Sequence, residues 1–182
     1  RGVHDSRDAE VVEAQIGRPL RASCTVVCRC HWGLPVVTSV PPILKTGEPF
    51  PTSYWLGCPL AQRRISRIEA KGGVREVAKM AEEDPKFAHA LLSAHRRYEE
   101  NRDAQVPSDA QHKPRGGVGG ARRGVKCLHA HYADTAAGNI NPVGELVKGR
   151  IEPLDCARPC VLADGEGVRR NEDWYEPPID GA

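Results

Sequence analysis

Cysteine and histidine are the residues of this chain whose types and spacing suit chemistry. The sequence of 182 residues holds seven of each. The densest group is Cys127-Leu-His129-Ala-His131. On a helix, Cys127 and His131 share a face at i, i+4, whereas on a strand all three side chains share one face. Either geometry presents at least two ligands to one metal ion.

A fold that brings distant cysteines to this group would complete a metal site. Cys30 ends a predicted strand and Cys58 begins a predicted helix. Three thiolates and one imidazole close a tetrahedral zinc site, and thiolates also hold iron–sulfur clusters. We therefore predict bound zinc, with an iron–sulfur cluster as the alternative. The predicted ligands are Cys30, Cys58, Cys127, His131 and His129, the two histidines being alternatives for one position.

The position of Cys58 at the start of a predicted helix also indicates a reactive thiol. The dipole and free N–H groups at a helix start favour a thiolate. In this hypothesis Cys58 is the nucleophile, and His129 or His131 is the base. A small buried cysteine at a strand–helix junction explains the same residue, and a helix with exposed histidines explains the Cys127 group. Metal binding, thiol chemistry and packing therefore stay open as alternatives.

The other cysteines and His95 fit packing roles. Cys24 and Cys28 fall in a predicted strand. Cys156 and Cys160 lack the C-x-x-C spacing of a zinc knuckle, which leaves an accessory ligand pair, a labile disulfide or no role. His95 falls on the apolar side of a predicted helix, where a core histidine is expected.

A basic, glycine-rich segment runs from Lys113 to Lys126, with five lysines and arginines and no acid. Such a segment contacts phosphates or RNA, and closure over the Cys/His site would bring Arg122 and Arg123 to an anionic ligand. It lacks an aromatic residue for base stacking, and a solvated flexible loop is the simpler interpretation. A module that binds RNA or a protein without chemistry is the third hypothesis.

Composition excludes several classes of protein. The net charge is +2, from 26 basic and 24 acidic residues, so the overall charge does not indicate that the chain binds a polyanion. No run of about 18 apolar residues is present, so no membrane span is expected. The first residues lack an apolar signal core and an initiator Met, which predicts a cytoplasmic protein with a missing true N-terminus. In a reducing cytoplasm, cysteine clusters indicate metal or redox chemistry.

Local patterns predict an α+β fold in which a small antiparallel sheet near the N-terminus packs against several helices. Strands are predicted over residues 22–30, 36–40 and 50–56. Helices are predicted over 8–16, from Pro59, over 74–83, from Pro85, and over 125–137 and 142–147. We expect a disordered N-terminus at 1–8, a single domain at 9–155 with a flexible basic insert at about 104–124, and a mostly irregular tail at 156–182.

Several segments together resemble a bacterial family called domain of unknown function 501. They are residues 10–19, Arg29-Cys-His-Trp-Gly-Leu-Pro35, Pro49 to Pro59, Arg67-Ile-Glu69, Gly124 to Ala133 and Asn141-Pro-Val-Gly-Glu145. The resemblance spans roughly residues 10–156 in order. It implies a cytoplasmic protein of bacteria, actinobacterial in character, without an established activity. It places Cys30, Cys58, Cys127, His129 and His131 inside the family motifs.

Overall fold

The computed structural model describes residues 6–178, and the expected disorder over residues 1–5 lies outside them. Residues 6–8 belong to the first helix, which starts two residues earlier than predicted, because Asp8 lies inside that helix and does not cap it. The helices are α1 Ser6–Ile16, α2 Pro59–Ala70, α3 Gly73–Glu83, α4 Pro85–Asp103, α5 Leu128–Ala136 and α6 Pro142–Ile151, with a 3-10 turn at Val118–Gly120.

The sheet is antiparallel and lies near the N-terminus, as predicted. Its strands are β1 Thr25–Arg29, β2 Pro35–Ser39 and β3 Tyr54–Leu56, in the order β1-β2-β3. The central strand β2 is almost wholly buried, since it has a neighbour on each edge and α1 against it. The described chain is therefore an α+β fold, and the predicted fold class is confirmed.

Residues that stop or start helices fix the lengths of the elements around the site. Pro59 opens α2, where its missing N–H removes no helical hydrogen bond. The carboxylate of Asp84 caps α4 by accepting from the Lys86 N–H at 2.8 Å. The side chain of Asn141 caps α6 by accepting from the Val143 N–H at 3.1 Å. These residues set where α2, α4 and α6 begin.

The core lies between the sheet and helices α2, α5 and α6. Fully buried apolar side chains from each of these elements meet there, and they include Val37, Leu60, Ile65, Leu128, Val143 and Ile151. Burial of such side chains stabilises the fold by about 1.5–3 kcal/mol each. The core therefore holds α2 and the start of α5 in fixed positions against each other.

Two segments differ from the expectation of loose chain. Within the basic insert, Val118 and Ala121 are fully buried, because the 3-10 turn packs on α4 and α5. In the C-terminal segment, β4 Val161–Asp164 and β5 Gly167–Arg170 form a hairpin that contacts α1. Short segments of this kind leave little trace in hydrophobic periodicity, so the sequence predicted them as irregular.

Membrane-spanning helices are absent from residues 6–178, because no helix there is both long and apolar enough to cross a bilayer.

Candidate metal centre

Helix α2 carries a polar stripe that begins in its first turn and ends next to its C-terminus. Gln62, Ser66 and Glu69 are spaced by four and three residues, so their side chains lie on one side of the helix. The start of α5 packs against this stripe. There, the backbone N–H of Leu128 donates to Glu69 Oε1 at 2.6 Å. The carboxylate thus lies at the N-terminal end of α5.

His129 contacts the same stripe through both ring nitrogens. Its Nε2 lies 3.3 Å from the carbonyl oxygen of Gln62 and 3.3 Å from Ser66 Oγ. A carbonyl oxygen only accepts, so the neutral ring keeps its proton on Nε2 and its lone pair on Nδ1. That Nδ1 lies 3.3 Å from Glu69 Oε1 and 3.9 Å from Cys127 Sγ.

Cys127 stands immediately before α5 in an extended conformation and makes no side-chain capping hydrogen bond. Glu69 accepts the first N–H of the helix in its place, which leaves the thiol facing His129. Among the residues that the structure describes, Glu69, Cys127 and His129 form the only trio of metal-ligand side chains whose ligand atoms all lie within 4.8 Å of one another.

The surroundings of His129 shift its pKa. Burial lowers the pKa of His129, but the hydrogen bond with Cys127 and the charge of Glu69 raise it, and the net pKa of His129 is raised. A proton on Nδ1, between Glu69 Oε1 and Cys127 Sγ, is therefore held more firmly than on a free imidazole. A metal cation at the same point would replace that proton.

A cavity of about 410 Å³ opens beside the trio. Cys127 and His129 form part of its wall, and most of the remaining wall comes from β3 and α2. The lining side chains include Tyr54, Trp55, Leu56, Gln62 and Ser66. A mostly apolar cavity with a few polar groups at one end is typical of sites for small molecules.

The structure brings two of the five predicted ligands together and separates the others. Cys58 is at the N-terminal end of α2, whereas Glu69 and Cys127 are at the other end. The eleven residue steps from Cys58 to Glu69 correspond to about 16 Å of helix. One ion cannot span that distance, so Cys58 and Cys127 do not share a metal. Cys30 borders a different cavity, beside Glu152, Pro153 and Leu154, and neither Cys127 nor His129 lines it.

Cys58 is also a poor candidate for a nucleophile. Its side chain is only 6% exposed. Burial raises the pKa of the Cys58 thiol to about 12, although the backbone N–H groups of Ala61 and Leu60 act in the opposite direction. Within residues 6–178, no hydrogen bond joins it to His129 or His131. The thiol therefore stays protonated and packed in the core at neutral pH.

His131 faces a different part of the molecule from His129. It is fully buried, and its Nδ1 donates to Asn141 Oδ1 at 3.0 Å. Its ring packs edge-on against His95 at 5.6 Å. His95 is 4% exposed with both ring nitrogens bonded to the backbone, so its prediction as a core histidine is confirmed.

Glu69 is the member of the trio that the sequence did not predict. It was visible as an acid before a glycine pair, but nothing in that position indicates a partner. The stripe of Gln62, Ser66 and Glu69 is the signal that could have found it, since polar residues at this spacing form one face of a helix.

The fold and the site define an α+β domain with a Cys–His–Glu trio beside an apolar cavity. The profile of a family described as "protein of unknown function (DUF501)" matches residues 26–149, and the chain belongs to that family. The resemblance found in the sequence is thereby confirmed. All three members of the trio lie inside the matched range, whereas α1 and the β4–β5 hairpin lie outside it. No match was found among the curated proteins or among the solved structures.

Proposed function

We propose that this protein binds zinc through Glu69, Cys127 and His129 and presents the open fourth position to the adjoining cavity. The observation that carries the proposal is the convergence of one carboxylate oxygen, one thiol and one imidazole nitrogen. Tetrahedral zinc with ordinary bond lengths puts nitrogen and oxygen about 3.4 Å apart and sulfur and nitrogen about 3.6 Å apart. The corresponding separations here are 3.3 Å and 3.9 Å.

Hydrogen bonds around the trio support the same proposal. The carbonyl of Gln62 orients the His129 ring through Nε2, and the Leu128 N–H orients the carboxylate of Glu69. Partners of this kind fix the ligands of zinc sites before the metal arrives. A single thiolate suits zinc better than an iron–sulfur cluster, which needs several.

Three protein ligands with an open position are typical of catalytic zinc, which activates a bound water for attack on a substrate. In this chain, Cys127 and His129 share the cavity wall with Tyr54 and Trp55, so a molecule in the cavity would lie beside the proposed ion. The proposed activity is therefore a metal-assisted reaction, such as hydrolysis, on a small molecule that enters this cavity.

Metal analysis of the purified protein tests the proposal. Wild-type protein should bind one zinc per chain, and Cys127→Ser, His129→Ala and Glu69→Gln should each lose most of it. Cys24→Ser and the exposed His89→Ala are matched controls that should retain it. Cobalt in place of zinc should give a sulfur-to-metal charge-transfer band that Cys127→Ser abolishes. Unchanged zinc content in folded Cys127→Ser and Glu69→Gln variants would refute the site.

A thiol enzyme is the second candidate, now with Cys127 in place of Cys58. The contact of Cys127 Sγ with His129 Nδ1 at the cavity wall favours it. However, Glu69 approaches the same ring nitrogen as the thiol, whereas a relay would have it orient the opposite nitrogen. Activity that persists in metal-free protein and disappears on alkylation of Cys127 would favour this candidate over zinc.

A further inference from the structure

A second cavity, of about 380 Å³, borders the basic, glycine-rich segment from Lys113 to Lys126. Its wall contains Arg96 from α4 and Arg115 and Arg122 from the segment itself. All three side chains are exposed, and within residues 6–178 they make no ion pair and no side-chain hydrogen bond. Arginines elsewhere in the described chain are mostly paired, as Arg97 is with Asp134. The cavity is therefore lined by three guanidinium groups without a partner among the described residues.

Buried side chains of α4 hold the backbone that carries these arginines. Arg102 is 1% exposed and donates to the carbonyl oxygens of Gly116 and of Pro114, the latter at 3.3 Å. The two carbonyls flank Arg115. The segment thus runs in a fixed path over α4 and holds Arg115 close to Arg96.

His95 fixes the other end of the segment. Its Nδ1 accepts from the Val118 N–H at 3.0 Å, and its Nε2 lies 2.9 Å from the carbonyl oxygen of Gly124, to which it donates. Gly117 is needed for this approach, because a Cβ there would lie 2.6 Å from His95 Nδ1. The backbone on either side of Arg122 is therefore held by the fold before any ligand binds.

The chemistry of the wall selects a small phosphorylated ligand. Three guanidinium groups face one acid, Glu99, whose Oε1 already lies 3.8 Å from Arg102 Nη2. Guanidinium forks match the oxygens of phosphate in bidentate pairs. The wall contains no Phe, Tyr or Trp on which the bases of RNA would stack.

We propose that Arg96, Arg115 and Arg122 bind the phosphate groups of a small ligand, for which inorganic pyrophosphate is the simplest probe. The site is separate from the zinc trio, since different residues line the two cavities. Pyrophosphate binding should therefore persist in Cys127→Ser, which keeps a failure of the zinc proposal distinct from a failure of this one.

Calorimetric titration of the whole chain with pyrophosphate, without divalent metal, tests the site. Each of Arg96→Gln, Arg115→Gln and Arg122→Gln should weaken binding by about tenfold or more, since each removes charge-assisted hydrogen bonds. The matched control is Arg75→Gln, which is equally exposed and unpaired in the described chain but lies on α3. It should bind as the wild type does.

Three results would overturn the proposal. One is the absence of pyrophosphate binding by the wild type. Another is binding that the three arginine variants leave unchanged, which would place the ligand elsewhere. The third is salt-sensitive binding of a single-stranded RNA oligonucleotide that pyrophosphate does not displace, which would make the segment an RNA surface.

Discussion

Cys58 and Cys127 both precede a helix, yet their thiols have opposite surroundings. Cys58 is buried in the core, whereas Cys127 borders a cavity. A helix dipole favours a nearby charge by about 0.3–1 kcal/mol, which is small beside the cost of burying a thiolate. Burial therefore decides the state of Cys58, and position before a helix does not by itself predict a reactive cysteine.

Alkylation should separate the two cysteines. In native, metal-free protein near neutral pH, iodoacetamide should modify Cys127 at least about tenfold faster than Cys58, since only accessible thiolate reacts. Peptide mass spectrometry over time measures both rates. In denaturant the two should react at similar rates, which is the control. Rapid labelling of Cys58 in the native protein would contradict its burial.

The buried His131 makes stability depend on pH. Burial lowers the pKa of His131 to about 4, below the ordinary value near 6.5, and His95 beside it is also shifted down by burial. Between these two pKa values the unfolded chain binds a proton at His131 that the folded chain does not bind. The free energy of unfolding is therefore highest above about pH 6.5 and declines towards pH 4. His131 alone should lower the free energy of unfolding by about 2 kcal/mol between pH 7 and pH 5.

Denaturant unfolding at several pH values measures this effect. His131→Gln should have a shallower decline between pH 7 and pH 5 than the wild type, even if it is less stable throughout. The exposed His89→Gln provides the comparison for loss of an imidazole at the surface. Equal slopes for His131→Gln and the wild type would show that His131 does not resist protonation in the fold.

At the scale of elements, helices α5 and α6 pack closely at Gly144. A Cβ on Gly144 would lie 2.7 Å from Thr135 Cβ and closer still to Thr135 Oγ1 and the His131 carbonyl oxygen. Gly149 lies on the same helix with nothing within 4 Å of its Cβ position. The two glycines therefore form a matched pair.

Gly144→Ala should destabilise the protein by about 2 kcal/mol, because α6 must move away from α5. Gly149→Ala should be neutral or stabilise it by up to about 1 kcal/mol, because alanine is the better helix former. Chemical denaturation of both variants measures the difference. If both substitutions changed the free energy of unfolding equally, α6 would be shown to move away from α5 without a loss of stability.

The elements themselves were largely predictable, and the site was predictable only in part. Strong caps and prolines such as Pro59, Asp84 and Asn141 mark helix starts locally, so the helices and the small sheet follow from the sequence. Cys127 and His129 are also neighbours in the chain. Glu69 joins them across 59 residues, through the packing of α2 on α5, and no local pattern encodes that contact.

At the scale of the molecule, the two ends of the chain pack together outside the range matched by the family. Arg170 of β5 donates to the carbonyl oxygens of Ala14 and Gln15 at the end of α1, at 2.7 Å and 2.8 Å. Gln15 in turn donates to the carbonyl oxygen of Pro35 at 2.9 Å, at the start of β2. The terminal elements therefore brace the central strand of the sheet.

Arg64 fastens the C-terminal segment to the core and gives the last prediction. Its side chain is 2% exposed and donates to the carbonyl oxygens of Ile151, Pro153 and Pro177, at 2.6, 2.7 and 3.3 Å. Arg64→Met should destabilise the protein by about 2–3 kcal/mol, because it leaves buried carbonyls without donors. It should also speed proteolysis after residue 155, while the surface variant Arg75→Met should change neither property. Limited trypsin digestion with mass spectrometry measures the rate of proteolysis. If Arg64→Met resisted trypsin as well as the wild type does, the hairpin contacts on α1 would be shown to hold the segment without Arg64.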